Sequence, residues 1–142
     1  MLAPSRPRPT KSKYRLLYLG TDVELIMALR KKLREPDDRL VACSDREGAI
    51  MFLKSEIPYD LLLIDLEWRG MKGLKLAQLT RSLSHRKRMP IILVATELSD
   101  RLAEVARRAG VNECVTKTPD MDAVSEAVRR SIGNSEQGSR EQ

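Results

Sequence analysis

The sequence predicts an α/β fold, a doubly wound five-stranded parallel sheet with helices on both faces. Three observations carry this. Short apolar runs alternate with helical patterns five times along the chain, the signature of successive β-α units. The strongest run, at 59–66 (YDLLLIDL), is aliphatic at consecutive positions rather than at alternate ones, as a strand covered on both faces must be. The links between runs are short, and right-handed crossovers then leave few topologies. The strand order 2-1-3-4-5 is expected, with a site at the carboxyl ends of strands 1 and 3.

The first strand is the run 14–19 (YRLLYL), ended by Gly20. Thr21 or Asp22 caps a helix whose apolar positions are Val23, Ile26, Met27, Leu29 and Leu33, and Glu35-Pro36-Asp37-Asp38 breaks it. A second strand at 39–43 is followed by a helix that Ser44 or Asp45 starts and that runs to about residue 55. After the strand at 59–66, Gly70 and Gly73 mark a loop, and a helix covers 74–83. A strand at 89–95, a helix at 99–109 stopped by Gly110, and a strand at 111–116 come next. Pro119 is expected in the first turn of a last helix reaching about residue 132. Three segments result: a basic, proline-rich leader at 1–13 expected to be disordered, the domain at 14–132, and a polar tail at 133–142 also expected to be disordered.

Composition narrows the function. The 142 residues suit one domain, and 42% of them are hydrophobic, enough for a core. No apolar run approaches the roughly 18 residues of a membrane span, and 1–13 lacks the apolar stretch of a signal peptide. Cys43 and Cys114 lie in separate apolar runs and read as reduced core residues of a cytoplasmic protein. A single histidine, His85, argues against a His-rich metal site or a His-based triad, and Gly20-Thr21-Asp22 does not form a dinucleotide loop. Of the net charge of +6, +4 sits in the leader, so nucleic acid is not the expected partner. The cluster Arg81, His85, Arg86, Lys87 and Arg88 is read as a solvated charged loop.

In this architecture chemistry collects where strands end. Asp65 closes the aliphatic run, and an ionised carboxylate there needs a partner. Lys117, at the same level of the last strand, supplies one. Together they are an acyl-phosphate site, with Asp65 as nucleophile and Lys117 stabilising the phosphoryl oxygens, or else a structural ion pair with Asp65 capping the next loop. Spacing alone leaves both open.

Three segments then resemble response-regulator receiver domains. They are Asp65-Leu-Glu-Trp-Arg-Gly-Met-Lys-Gly73, Pro90-Ile-Ile-Leu-Val-Ala-Thr96, and Gly110-Val-Asn-Glu-Cys-Val-Thr-Lys117 with Pro119 close behind. The resemblance, over roughly 14–132, implies a CheY-like, flavodoxin-like fold and a two-component or phosphorelay module. In such a module a sensor histidine kinase phosphorylates Asp65 beside a bound Mg²⁺. It puts Lys117 and Thr96 in phosphate-supporting positions and Asp65, Glu67 and Asp22 nearest the metal.

The sequence departs from that family where the phosphorylation switch resides. Gly20 and Thr21 replace the acidic pair that holds Mg²⁺, and Asp22 reads rather as a helix cap. Ala95 takes the hydroxyl position, with Thr96 one residue late; Cys114 replaces the strand-5 aromatic; Arg69 replaces a proline, and Thr118 separates Lys117 from Pro119. The expected function is therefore an atypical, non-enzymatic receiver that acts by protein–protein interaction, with Mg²⁺-dependent phosphorylation weak or absent and no required cofactor. A true phosphoacceptor and a flavodoxin-like ligand-binding protein are the alternatives. Expected partners are a sensor kinase or an output protein, and a second copy through the face built by the 99–109 helix, the last strand and the last helix. Trp68, Arg107 and Arg108 are the candidate contact residues. Only short segments flank the domain, so no output domain is expected in this sequence.

Overall fold

The computed structural model describes residues 14–32 and 39–140. The predicted leader at 1–13 and the break at Glu35–Asp38 lie outside the described residues. The strands are β1 (Arg15–Leu19), β2 (Arg39–Cys43), β3 (Leu61–Asp65), β4 (Ile91–Ala95) and β5 (Glu113–Thr116), all parallel, in the order β2-β1-β3-β4-β5. The predicted architecture and strand order are both present.

Alternation along each buried strand sends side chains to two separate cores. Leu17, Leu19, Leu62, Ile64, Ile91 and Leu93 pack under α2 (Arg46–Lys54), α4 (Leu74–Ser82) and α5 (Asp100–Ala109). Leu16, Tyr18, Leu61, Leu63, Ile92, Val94 and Val115 pack under α1 (Val23–Lys32) and α6 (Asp122–Arg140). Caps set the helix starts. Asp45 accepts from the Gly48 N–H at 2.8 Å, Ser99 from the Leu102 N–H at 3.0 Å, and Asp22 Oδ1 from the Leu25 N–H at 3.2 Å. Gly110 ends α5 with φ of 109°, a left-handed value that glycine adopts without strain.

Three expectations need correction. The segment after Asp65 is not an open loop: it forms a single helical turn, α3 (Leu66–Arg69), and then a 3₁₀ turn (Gly70–Gly73). Leu66 thus belongs to a helix rather than to the strand. Pro119 lies before the last helix, not in its first turn. The Asp120 carboxylate accepts from the Asp122 N–H at 3.0 Å, and Met121 has φ of 59°, so helical geometry begins only at Asp122. That helix also continues through Arg140, past residue 132 and into the segment read as a disordered tail. The tail holds no proline, and a glycine within a helix costs only about 1 kcal/mol.

Part of the basic cluster before β4 is structural rather than solvated, while Lys87 and Arg88 are exposed as read. Arg86 is 3% exposed and donates to the carbonyls of Leu53, Phe52 and Ser55, where α2 ends, at 2.9–3.2 Å. Arg81 donates to the carbonyls of Gly110, Lys87 and Met89 and to Asn112 Oδ1 at 2.7–3.0 Å. His85 Nε2 lies 2.8 Å from the Ser55 carbonyl.

Candidate functional site

Period-two alternation puts Asp65 on the same sheet face as Leu61 and Leu63, the face that Tyr18 also occupies. In the β1–β3 register Tyr18 stands opposite Leu63, so Asp65 is its diagonal neighbour, within reach of a long side chain. The phenol spans that gap. Tyr18 Oη donates to Asp65 Oδ2 at 2.5 Å and itself accepts the Asp22 N–H at 3.1 Å. Burial pushes the Tyr18 hydroxyl far above the ordinary phenol range, and the hydrogen bond to Asp65 pushes it further, so it keeps its proton and acts as the donor.

Lys117 comes from the other side. β5 ends at Thr116, and the Lys117 N–H bonds the Ala95 carbonyl at 2.8 Å, which fixes the backbone beside the end of β4. Its ammonium meets three carboxylates: Asp65 Oδ2 at 2.8 Å, Asp22 Oδ2 at 2.9 Å and Glu67 Oε1 at 3.1 Å. Burial alone would lower the lysine pKa, but the three carboxylates outweigh it and raise it above the ordinary value. Asp22 and Glu67 move the opposite way. Burial raises each, yet Lys117 and backbone N–H groups (Leu25 for Asp22, Thr96 for Glu67) bring both below the usual carboxylate range.

Asp65 is 2% exposed, and its other oxygen, Oδ1, accepts the Glu67 N–H at 3.1 Å and so starts α3. Ion pair and cap, alternatives in the sequence, are both made by this one carboxylate. Asp22 likewise does two things, capping α1 through Oδ1 and holding Lys117 through Oδ2. Thr96 follows the end of β4 and is exposed; its N–H donates to Glu67 Oε2 at 3.0 Å, so it bears on Asp65 only through Glu67.

This site lies at the carboxyl ends of β1, β3 and β5, where this architecture gathers its functional residues. Residues 20–129 match the response regulator receiver domain family. The chain belongs to that family. No curated protein matches the sequence. Among solved structures, this receiver is similar to a response regulator from Thermotoga maritima at 17% identity and a TM-score of 0.72, over 85% of this chain and 98% of that one. It is similar to the chemotaxis response regulator CheY4 of Vibrio cholerae at 18% identity and a TM-score of 0.70, over 84% and 98%. It is similar also to the receiver domain of the sensor histidine kinase PA1611 from Pseudomonas aeruginosa, at 20% identity and a TM-score of 0.69, over 85% and 98%; that structure has a magnesium ion coordinated in the active-site cleft.

Among the described residues of this receiver, no group of three or more His, Cys, Asp or Glu side chains is arranged to hold a metal ion, and no helix is long and apolar enough to cross a membrane. Trp68 does not lie over Asp65. Half-buried on the α2 side, it donates from Nε1 to the Ser44 carbonyl at 2.9 Å, with the Arg69 guanidinium 4.9 Å from its ring centre. Arg107 and Arg108 are exposed on α5 and share the Glu104 carboxylate at 2.7–2.9 Å. The structure therefore gathers Asp22, Asp65, Glu67 and Lys117 at one point, keeps Thr96 beside them, and sets Trp68, Arg107 and Arg108 elsewhere. It adds Tyr18, which the sequence reading passed over as one more core residue of a leucine-rich strand. Its signal was parity: a hydroxyl-bearing side chain on the strand next to Asp65, at an even spacing that shares its face.

Proposed function

We propose that this chain is an atypical receiver that signals by protein–protein contact, with Asp65 held in a closed resting latch and Mg²⁺-dependent phosphorylation weak or absent. The observation that carries the reading is the Lys117 ammonium set among Asp22, Asp65 and Glu67 at 2.8–3.1 Å. The three carboxylates are hard oxygen donors of the kind Mg²⁺ prefers. One oxygen of each is already turned on the lysine, and Gly20 and Thr21 bring no carboxylate to replace them. The Tyr18 hydroxyl fills the space over Gly20, where an added Cβ would lie 2.5 Å from it. An octahedral ion does not fit this arrangement without displacing both groups.

The same latch opposes phosphoryl transfer. With an acyl-phosphate as donor, an Asp65 oxygen attacks phosphorus, the bond from phosphorus to the donor's acyl oxygen breaks, and the acyl carboxylate leaves. Asp65 Oδ2 is engaged twice and Oδ1 once, so three of the roughly four lone-pair positions of the carboxylate are occupied. We read the module as non-catalytic and cytoplasmic. Its partners are a sensor kinase or an output protein, with the α5–β5–α6 face, bearing exposed Arg107 and Arg108, open to a second copy.

Exposure to a small acyl-phosphate donor or to beryllofluoride, with and without Mg²⁺, followed by intact-mass measurement, tests this. No gain in mass is expected. A phosphoryl adduct that disappears in Asp65→Asn would establish the true phosphoacceptor instead.

A further inference from the structure

A concavity of about 290 Å³ opens between α2 and α4, on the sheet face opposite Tyr18. Its apolar wall is Ile50, Leu76 and Leu79, and its rim is Arg46, Lys54, Arg69, Lys72 and Lys75. No acidic side chain lines it. None of the five cations joins an ion pair among the described residues, whereas Arg107 and Arg108 on the neighbouring α5 are matched to Glu104. Unneutralised cations crowded around one pocket repel each other, and a bound anion relieves that repulsion. Arg46 and Lys54 are two helical turns apart, so the charge extends along the pocket rather than at one point.

We infer that this pocket binds a free nucleotide. The base would lie against Ile50, Leu76 and Leu79, and the phosphates would lie on the cationic rim. The volume is at the small end of the range for ligand pockets, about 300–1,000 Å³, which suits a purine-sized body with its phosphates on the rim. A long acidic peptide would need a track that continues past the two helices. Arginine forks and lysine point charges together form the donor set that phosphate oxygens favour. The pocket also connects to the Asp65 site. In α3, Glu67 reaches Lys117 while Arg69, two residues on, lines the pocket, so a ligand there bears on the turn that closes the latch.

The test is titration of the full chain with ATP and with GTP, in EDTA and at about 0.15 M salt, where weak surface electrostatics are screened. Calorimetry gives the stoichiometry, and the fluorescence of Trp68, the only tryptophan, reports on Arg69 of the rim, whose guanidinium lies 4.9 Å from its ring centre. Binding at one site with a Kd of about 100 µM or tighter is expected, with adenosine and tripolyphosphate each at least about tenfold weaker. Lys54→Glu with Lys72→Glu, both at exposed positions, should weaken binding at least about tenfold, while Lys31→Glu on α1 should leave it unchanged. Absence of nucleotide binding would overturn the inference. So would tripolyphosphate binding as tightly as ATP, a glutamate-rich peptide binding in preference to nucleotides, or equal weakening by Lys31→Glu. Each of these would leave the reading of Asp65 unaffected, because that reading is tested by phosphoryl transfer.

Discussion

Two buried cations hold opposite edges of the sheet, and they are satisfied in different ways. At the carboxyl edge the Lys117 ammonium is surrounded by the carboxylates of Asp22, Asp65 and Glu67. At the amino edge the Arg86 guanidinium meets the carbonyls of Leu53, Phe52 and Ser55 and lies 5.1 Å from the centre of the Tyr59 ring, with no carboxylate paired to it among the described residues. Carbonyls carry no proton and do not change charge, so the arginine contact is a fixed staple of the α2 end. Carboxylates titrate, coordinate and accept phosphoryl groups, so the lysine contact is one that chemistry can alter. A buried cation therefore marks a functional site when its counter-groups are themselves reactive.

The largest expected effect breaks the lysine side of this contrast. Lys117→Met leaves a buried Asp65 facing two other carboxylates, and removing one partner of such a pair costs about 3–5 kcal/mol. The loss depends on pH. Asp22 and Glu67 have depressed folded-state values, so their contribution is present above the ordinary carboxylate range and is lost as pH falls through those values. Lys117 has a raised value, so its contribution is present below the ordinary lysine range and is lost only in strong alkali. Denaturant unfolding should therefore show a gap between wild type and variant that is widest near neutrality and narrows below about pH 4. A gap that stays constant with pH would count against the ion-pair account.

The arginine side should behave otherwise. Arg86→Met removes the donors to three carbonyls at a buried position and should cost about 2–4 kcal/mol. Its Tm deficit should be the same from pH 5 to pH 9, because nothing it touches titrates there. The smallest effect sharpens the contrast within the latch. Tyr18→Phe deletes one hydrogen bond to Asp65 and the acceptor of the Asp22 N–H, a loss of about 1–2 kcal/mol. Combined with Lys117→Met, it should give a non-additive double-mutant cycle, since both groups share Asp65 Oδ2. Additivity would mean that they act separately.

The fold was legible because it depends on patterns. Consecutive aliphatics at Leu61–Ile64 predict a strand buried on both faces, and Gly110 predicts a helix stop, from local chemistry alone. Asp65 and Lys117 were legible for a related reason: a charge at the end of an apolar strand calls for a partner at the same level. The rest depended on geometry between elements. Asp22 reads from the sequence as a helix cap rather than a metal ligand; it does cap α1, and it also reaches Lys117, a contact across elements that spacing does not show. Arg86 looked like one charge in a polar loop, because its carbonyl partners lie more than thirty residues away in sequence. Trp68 follows Asp65 by three residues, but the α3 turn points it toward Ser44 instead. Tyr18 was hidden by its surroundings: among leucines it reads as apolar, and only strand parity shows that its hydroxyl faces Asp65.

Gly20 gives this latch its tightness. A side chain there would meet the Tyr18 hydroxyl at 2.5 Å and Asp65 Cβ at 2.7 Å, separations that side-chain carbons do not sustain. Restoring an acid at position 20 while the tyrosine remains produces a collision, and trimming the tyrosine first opens a hole in the sheet core. Position 20 is therefore closed from two sides, and only one of those walls, the tyrosine, is the movable end of a side chain.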